Sequence, residues 1–176
     1  PPRSTLFPYT TLFRSVLDMD GDGKLEASNG KSLPHGQAEG KVAEFDMDGD
    51  GFIDLTEWVG PNDGLLMVYS RGEEVSANNL FGNAGGFYHG YEKLSLLDKN
   101  NDSKLEGEEL SSMCVWQDKN GNAKVDAGEV SSLDELGITS IDLRHNDKLE
   151  SSFVQKGASK KMWDWFPTMY RVKRNR

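Results

Sequence analysis

The sequence predicts an α+β fold, in which short helices flank acidic loops and a few β-strands follow at the C-terminal end. Seventeen of the 29 Asp and Glu residues fall in four twelve-residue windows, which we call loops one to four: 18–29, 46–57, 98–109 and 118–129. Apolar residues recur at helical spacing just before loop three, and β-branched residues alternate after loop four. The 176 residues, with a formal charge of −9, correspond to roughly one to one and a half domains.

The composition excludes several classes of protein. A single cysteine, Cys114, forbids an intrachain disulfide and an all-thiolate zinc site, and the three histidines match no zinc spacing. The longest apolar run, 65–69, is too short to cross a bilayer, so we expect no membrane span. The acidic balance predicts no nucleic-acid partner for the whole chain. We also expect no enzyme, because no Ser-His-Asp or Cys-His motif is visible, although such groups can also assemble from distant residues.

The first sixteen residues differ from the rest of the chain. Residues 1–16 contain no acid, and the composition changes abruptly at 16–17. They lack the apolar segment of a signal peptide, and they resemble a translated sequencing-adapter fragment. We expect this stretch to be non-native or disordered. The alternative is an extended N-terminal arm.

Loop two has the spacing of a calcium-binding loop. Acids alternate at its first, third and fifth positions, a glycine follows at the bend, and further acids occupy the ninth and twelfth positions. This is the EF-hand loop pattern D-x-D-x-D-G-x5-E without a departure. Six to eight hard oxygens suit calcium better than magnesium. The expected ligands are Asp46, Asp48, Asp50, the Phe52 carbonyl, Asp54 and Glu57.

Loops three and four repeat the pattern with an altered bend. Ser103 and Ala123 replace the bend glycine, which should strain a left-handed backbone by about 1 kcal/mol. The expected ligands in loop three are Asp98, Asn100, Asp102, the Lys104 carbonyl, Glu106 and Glu109. Those in loop four are Asp118, Asn120, Asn122, the Lys124 carbonyl, Asp126 and Glu129. Loop four offers only three carboxylates, so we expect it to bind calcium more weakly.

Loop one begins like loop two but ends differently, with Asn29 at the twelfth position in place of Glu. Its expected ligands are Asp18, Asp20, Asp22, the Lys24 carbonyl and Glu26. Three arrangements remain open: Glu26 binds directly, a later acid such as Glu39 closes the shell, or the site is weak. An Asp/Gly turn that needs no metal is a further alternative.

Short helices and strands are expected around loops three and four. Apolar residues at 87, 91, 94 and 97 predict a helix before loop three, and those at 130, 133 and 136 predict a helix after loop four, with Gly137 at its C′ position. The alternating run 138–143 predicts a strand. Only eight residues, 110–117, separate loops three and four. This gap is too short for the paired helices of a calcium sensor, because eight helical residues span about 12 Å.

The C-terminal segment, 144–176, is basic at its end, in contrast to the acidic chain before it. Residues 156–176 hold seven bases and one acid among several aromatic residues. We expect strands that pack on the preceding module and leave a basic edge in solvent. Binding to anionic lipid or to a nucleic acid is the alternative for this segment alone.

Several motifs occur in a fixed order between residues 46 and 143. They read WVGPNDGLL, NNLFGN, GYEKLSLLDKNND, VWQDKNGN and LGITSI. This order resembles the EF-hand-bearing module of large secreted bacterial proteins, including hemolysin-type (RTX) and VCBS/FG-GAP-containing proteins. The resemblance implies calcium as the cofactor, with these metal positions: Asp98, Asn100, Asp102, Glu109, Asp118, Asn120, Asn122 and Glu129. The family usually has a further acidic loop before its E-L-F-G motif, and the segment with Arg71 replaces it here, so we interpret that site as lost.

These observations predict a domain organisation and a role. Residues 17–143 would form an EF-hand-type calcium-binding module, and 144–176 would form basic aromatic strands packing on it. The expected function is calcium ion binding that supports calcium-dependent folding of a secreted or cell-surface bacterial protein. The expected partners are calcium ions and the rest of a larger parent chain. The alternatives are a calcium-dependent docking module, similar to dockerins, and a sensor module.

Overall fold

The computed structural model describes residues 12–27 and 42–175. These ranges contain eleven strands, one six-residue helix and one short 3-10 helix, Gly107–Leu110. The helix α1 is Gly90–Ser95. The strands are β1 (Arg14–Asp18), β2 (Val42–Phe45), β3 (Phe52–Glu57), β4 (Asp63–Met67), β5 (Lys104–Glu106), β6 (Cys114–Trp116), β7 (Val130–Ser132), β8 (Ile138–Asp142), β9 (Glu150–Gln155), β10 (Ala158–Trp165) and β11 (Met169–Asn175).

The prediction of an α+β fold with helices flanking the loops is wrong, because the described chain is nearly all β. The first half of loop two, 46–51, connects β2 to β3 and its second half forms β3, whereas loop four lies between β6 and β7. The helix predicted around Val130 and Leu136 is replaced by strand β7 and a turn. The physical reason is visible in β6, where all three residues, 114–116, are buried. Such a segment lies between two apolar layers and favours a strand that is buried on both faces.

All strand pairs are antiparallel and form two sheets. The larger sheet has the order β5-β8-β9-β10-β1-β4-β6-β7, and the smaller has the order β11-β3-β2. β8 confirms the strand predicted at 138–143, and β9 to β11 confirm the strands predicted near the C-terminus. β9 and β10 belong to the same sheet as β1, whereas β11 pairs with β3 in the smaller sheet, so the C-terminal segment contributes strands to both sheets.

The central strand β1 includes residues 14–16, which belong to the N-terminal stretch that we expected to be non-native or disordered. Residues 14–16 form its first three positions, and all five residues of β1 are buried. β1 pairs with β10 on one side and with β4 on the other. The prediction for residues 1–11 lies outside the described residues.

Two apolar clusters cover the two faces of the larger sheet. Leu17 and Val115 belong to one cluster, which also receives α1 through Leu94. Their strand neighbours Val16 and Trp116 belong to the other cluster, which is shared with the smaller sheet. Adjacent residues of β1 and β6 therefore face different cores, as the pleat of a strand requires. This double burial fixes the strand ends from which loops one and four begin.

The part of the chain that the structure describes contains no helix with the length and apolar character needed to cross a bilayer.

Candidate metal centres

The four loops share one hydrogen-bond pattern at their first residue. In loop four, Asp118 Oδ1 accepts from the Gly121 N–H at 2.8 Å, and Asp118 Oδ2 accepts from the Ala123 N–H at 2.7 Å. In the other loops too, the first Asp accepts from the fourth or fifth residue with one oxygen and from the sixth with the other; these aspartates are Asp18, Asp46 and Asp98. Each loop therefore wraps around the carboxylate of its first residue.

The bend at the sixth position of each loop is left-handed. φ is 76° at Gly23, 88° at Gly51, 66° at Ser103 and 56° at Ala123. The expectation of a left-handed Ser103 and Ala123 is confirmed. The loops keep the same shape despite the cost of a side chain at this conformation.

The third and fifth residues of each loop also follow one pattern. In loop three, Asn100 Oδ1 accepts from the Asp102 N–H at 3.0 Å, and Asp102 Oδ1 accepts from the Lys104 N–H at 2.9 Å. The same two contacts recur in the other loops, where the acceptors are Asp20, Asp22, Asp48, Asp50, Asn120 and Asn122. Each oxygen has two lone pairs, so one backbone contact leaves capacity for a cation.

A glutamate at the twelfth position folds back over loop three. Glu109 Oε1 accepts from the Lys99 N–H at 2.8 Å, and Glu109 Oε2 accepts from the Glu106 N–H at 3.1 Å. These donors belong to the second and ninth residues of the loop. Glu109 therefore lies across the loop, where a bidentate carboxylate closes a calcium shell.

Loop four is closed in the same way. Glu129 Oε1 accepts from the Lys119 N–H at 2.9 Å, and Glu129 Oε2 accepts from the Asp126 N–H at 3.1 Å. Asp126 accepts hydrogen bonds from the side-chain amides of Asn120 and Asn122 at 2.7 and 2.9 Å. These bonds lower the pKa of Asp126, with the Asn120 amide as the main cause.

Two buried tryptophans contact the acids of loop four. Trp58 Nε1 donates to Asp118 Oδ2 at 2.7 Å, and Trp116 Nε1 donates to Glu129 Oε2 at 3.4 Å. The two indole rings pack edge to face, with their centroids 5.5 Å apart. Both tryptophans are almost fully buried. The contact of Trp58 with loop four was not predictable from sequence patterns, because Trp58 lies sixty residues before Asp118.

Loop two brings three carboxylates together but is closed differently. Oxygens of Asp46, Asp48 and Asp54 all lie within 4.8 Å of one another. Asp54 Oδ2 accepts the N–H of Met47, the second residue of the loop, at 3.1 Å. Glu57 Oε2 instead accepts the Thr168 N–H at 2.8 Å. The ninth residue therefore makes the contact with the second residue's N–H that the twelfth residue makes in loops three and four.

Loop one also gathers its first three acids. Oxygens of Asp18, Asp20 and Asp22 lie within 4.8 Å of one another. Asn29 and Glu39, whose roles the sequence left open, lie outside the described residues.

An acid from another strand, Asp63, reaches loop one. Asp63 Oδ2 accepts from the Glu26 N–H at 2.5 Å, and Asp63 has no exposed surface. Burial raises the pKa of Asp63 to about 7, and the negative charges of Asp18, Glu26 and Asp20 add to the shift, against the opposing effect of the Glu26 hydrogen bond. Asp63 was not predicted as a site residue, because only the pairing of β1 with β4 brings it near the loop.

The chemistry of the four sets of donors is uniform. The side chains at the expected ligand positions of the four loops offer carboxylate and amide oxygens, without histidine nitrogen or cysteine sulfur. Such donor sets suit hard divalent cations, the class that includes calcium and magnesium.

Fold and loops together define a nearly all-β domain whose strand connections are oxygen-rich turns. Residues 15–162 match the SPM domain family, and the chain belongs to that family. The chain is also similar to the iron-regulated protein FrpA of Neisseria meningitidis serogroup C, with 36% identity over 142 residues. This similarity covers 75% of the chain but only 12% of that protein, so the chain spans a small part of its relative.

Proposed function

We propose that the four loops bind calcium ions, and that this binding stabilises the β-sheets of a secreted or cell-surface bacterial protein. The observation that carries the proposal is the shared hydrogen-bond pattern, in which the first Asp of each of four separate loops accepts backbone N–H groups of its own loop with both carboxylate oxygens. Two groups of three carboxylates with oxygens within 4.8 Å support it further. The proposed role is structural, and no catalytic step is part of it.

The loops couple ion binding to the fold because they join strands. The first half of loop two forms the β2–β3 connection of the smaller sheet, and loop four forms the β6–β7 connection at the edge of the larger sheet. Without a cation, the clustered carboxylates repel one another and oppose closure of these turns. An ion bound only by the folded state stabilises it by about 2.7 kcal/mol per site at a hundredfold excess over Kd.

The ligands proposed are those expected from the sequence, and the loops resemble EF-hand loops without a pair of flanking α-helices, since α1 before loop three is the one α-helix of the described residues. The resemblance to modules of RTX and VCBS/FG-GAP-containing proteins supports a place in a large secreted chain. The small share of FrpA that the chain covers also supports a role as one part of a longer protein.

Thermal unfolding of the whole chain with EDTA, magnesium or calcium tests the proposal. We expect calcium to raise the melting temperature and the β-sheet circular dichroism signal, and magnesium at equal concentration to do so less. A melting curve that EDTA leaves unchanged would contradict the proposal. A calcium-dependent rise in binding of a hydrophobic dye, without added stability, would favour the sensor alternative.

A further inference from the structure

We infer that Asp63 is the closing ligand of the cation site in loop one, supplied by a neighbouring strand in place of a glutamate at the twelfth position. The inference rests on the proposed calcium binding and adds one specific residue to it. Asn29 occupies the twelfth position, so loop one has no carboxylate of its own there.

Strand pairing fixes the position of Asp63 beside the loop. β1 and β4 are antiparallel neighbours, and Asp63 is the direct partner of Asp18 in their register. Asp18 is the last residue of β1 and the first residue of loop one. Side chains directly opposite each other in such a pair have Cβ atoms about 4.5–5.5 Å apart. The first acid of the loop and the acid from β4 therefore lie side by side.

One carboxylate oxygen of Asp63 is buried without a hydrogen-bond partner among the described residues. The residue has 0% exposure, yet Asp63 Oδ1 has no hydrogen-bond partner among the described residues. Glu26 Oε2, in the same loop, is also buried without a described partner. A buried carboxylate oxygen without a partner is costly, and a bound cation removes that cost. Two such oxygens at one loop are an observation independent of the acidic spacing.

Asp63 makes the contact with loop one that the closing glutamates make with their own loops. Glu109 and Glu129 each accept the N–H of the ninth loop residue with one oxygen. Asp63 accepts the N–H of Glu26, which is the ninth residue of loop one. The shorter Asp side chain suffices because the β1–β4 pairing brings its backbone against the loop.

The replacement Asp63→Asn in the full chain tests the assignment. The Asn oxygen is needed to accept the Glu26 N–H, so its NH₂ group would face the ion instead of an oxygen. Asp134→Asn is the matched control, since Asp134 is exposed and lies outside all four loops. Calcium stoichiometry from equilibrium dialysis is expected to fall by one ion per chain in Asp63→Asn and to stay unchanged in Asp134→Asn.

A double variant separates a ligand from a structural acid. Asp18→Asn removes the first ligand of the same loop, so combining it with Asp63→Asn should lose no second ion. Loss of two ions by the double variant, or an unchanged stoichiometry in Asp63→Asn, would overturn the assignment. If the unaltered chain binds no calcium at all, the proposed function fails and the assignment fails with it. If it binds calcium but Asp63→Asn binds as much, only the assignment fails.

A structure of the unaltered chain with calcium provides a measurement that needs no variant. We expect an ion in loop one within about 2.3–2.6 Å of an Asp63 oxygen. An ion bound there beyond coordination distance of Asp63, or occupied loops two to four beside an empty loop one, would refute the assignment even if the variants do not fold.

Discussion

Replacing Glu129 with Gln should remove the calcium-dependent part of stability that loop four supplies. Glu129 is almost fully buried, and its two oxygens accept the N–H groups of Lys119 and Asp126. Glutamine keeps the size of the side chain but turns one of these oxygens into an NH₂ donor. The replacement therefore removes a bidentate carboxylate and places a donor against a backbone donor.

The size of the effect follows from linkage. Loss of one site at a hundredfold calcium excess removes about 2.7 kcal/mol of stabilisation. For a chain of this length, each 1 kcal/mol corresponds to about 2–4 °C in melting temperature. The calcium-induced rise in melting temperature should therefore be about 5–11 °C smaller in Glu129→Gln than in the unaltered chain. The mispaired backbone donor also lowers the free energy of unfolding in EDTA, by about 1–3 kcal/mol.

The assay compares melts with EDTA and with calcium, so the calcium-dependent part is obtained by difference. Tryptophan emission provides a second readout, because Trp58 donates to Asp118 inside loop four and Trp116 donates to Glu129 itself. Asp134→Asn, which removes one exposed negative charge outside the loops, is the control. Glu129→Gln could instead retain the full calcium-induced rise in melting temperature and the full calcium-induced change in tryptophan emission. In that case Glu129 would not be a ligand.

Two further changes probe the backbone and a buried acid. Ser103→Gly should raise the free energy of unfolding by about 1 kcal/mol, because Ser103 has a left-handed φ of 66°. Ser111→Gly is the control and should lower the free energy of unfolding, because Ser111 lies at a right-handed helix end with φ −63°. Chemical denaturation of both variants measures the two changes. Burial raises the pKa of Asp164 to about 6 from its ordinary 3.8. Protonation of Asp164 therefore favours the folded state. As pH rises from about 4 to above 6, the free energy of unfolding of the unaltered chain should fall by about 3 kcal/mol relative to that of Asp164→Asn. Urea denaturation without calcium measures this difference.

The two predictions fail in different ways. Destabilisation by Ser103→Gly equal to that of Ser111→Gly would show that the left-handed conformation carries no cost at that bend. A stability difference between the unaltered chain and Asp164→Asn that is constant from pH 4 to pH 8 would show that Asp164 titrates alike in the folded and unfolded chains.

The loops were predictable because their information is local. Six positions at fixed spacing determine where the backbone bends and which oxygens turn inward, and even Ser103 and Ala123 adopt the expected conformation. The positions of Trp58 and Asp63 beside the loops were not predictable, because they depend on strand pairs between residues far apart in the chain. Spacing and composition alone do not reveal such pairs.

The fold class was wrong for a related reason. The residues Val130, Leu133 and Leu136 fit helical spacing, yet Val130 lies in a three-residue strand and the other two lie in the following turn. In a segment this short, helical and extended periodicities cannot be separated. The larger sheet determines that this segment begins as a strand, because 130–132 pair with β6 as strand β7.

Calorimetric titration of the full chain with calcium would show whether the four loops bind the ion. We expect saturable binding of four calcium ions per chain, with the protein becoming harder to unfold as the sites fill. An absence of saturable binding up to millimolar calcium would contradict this expectation.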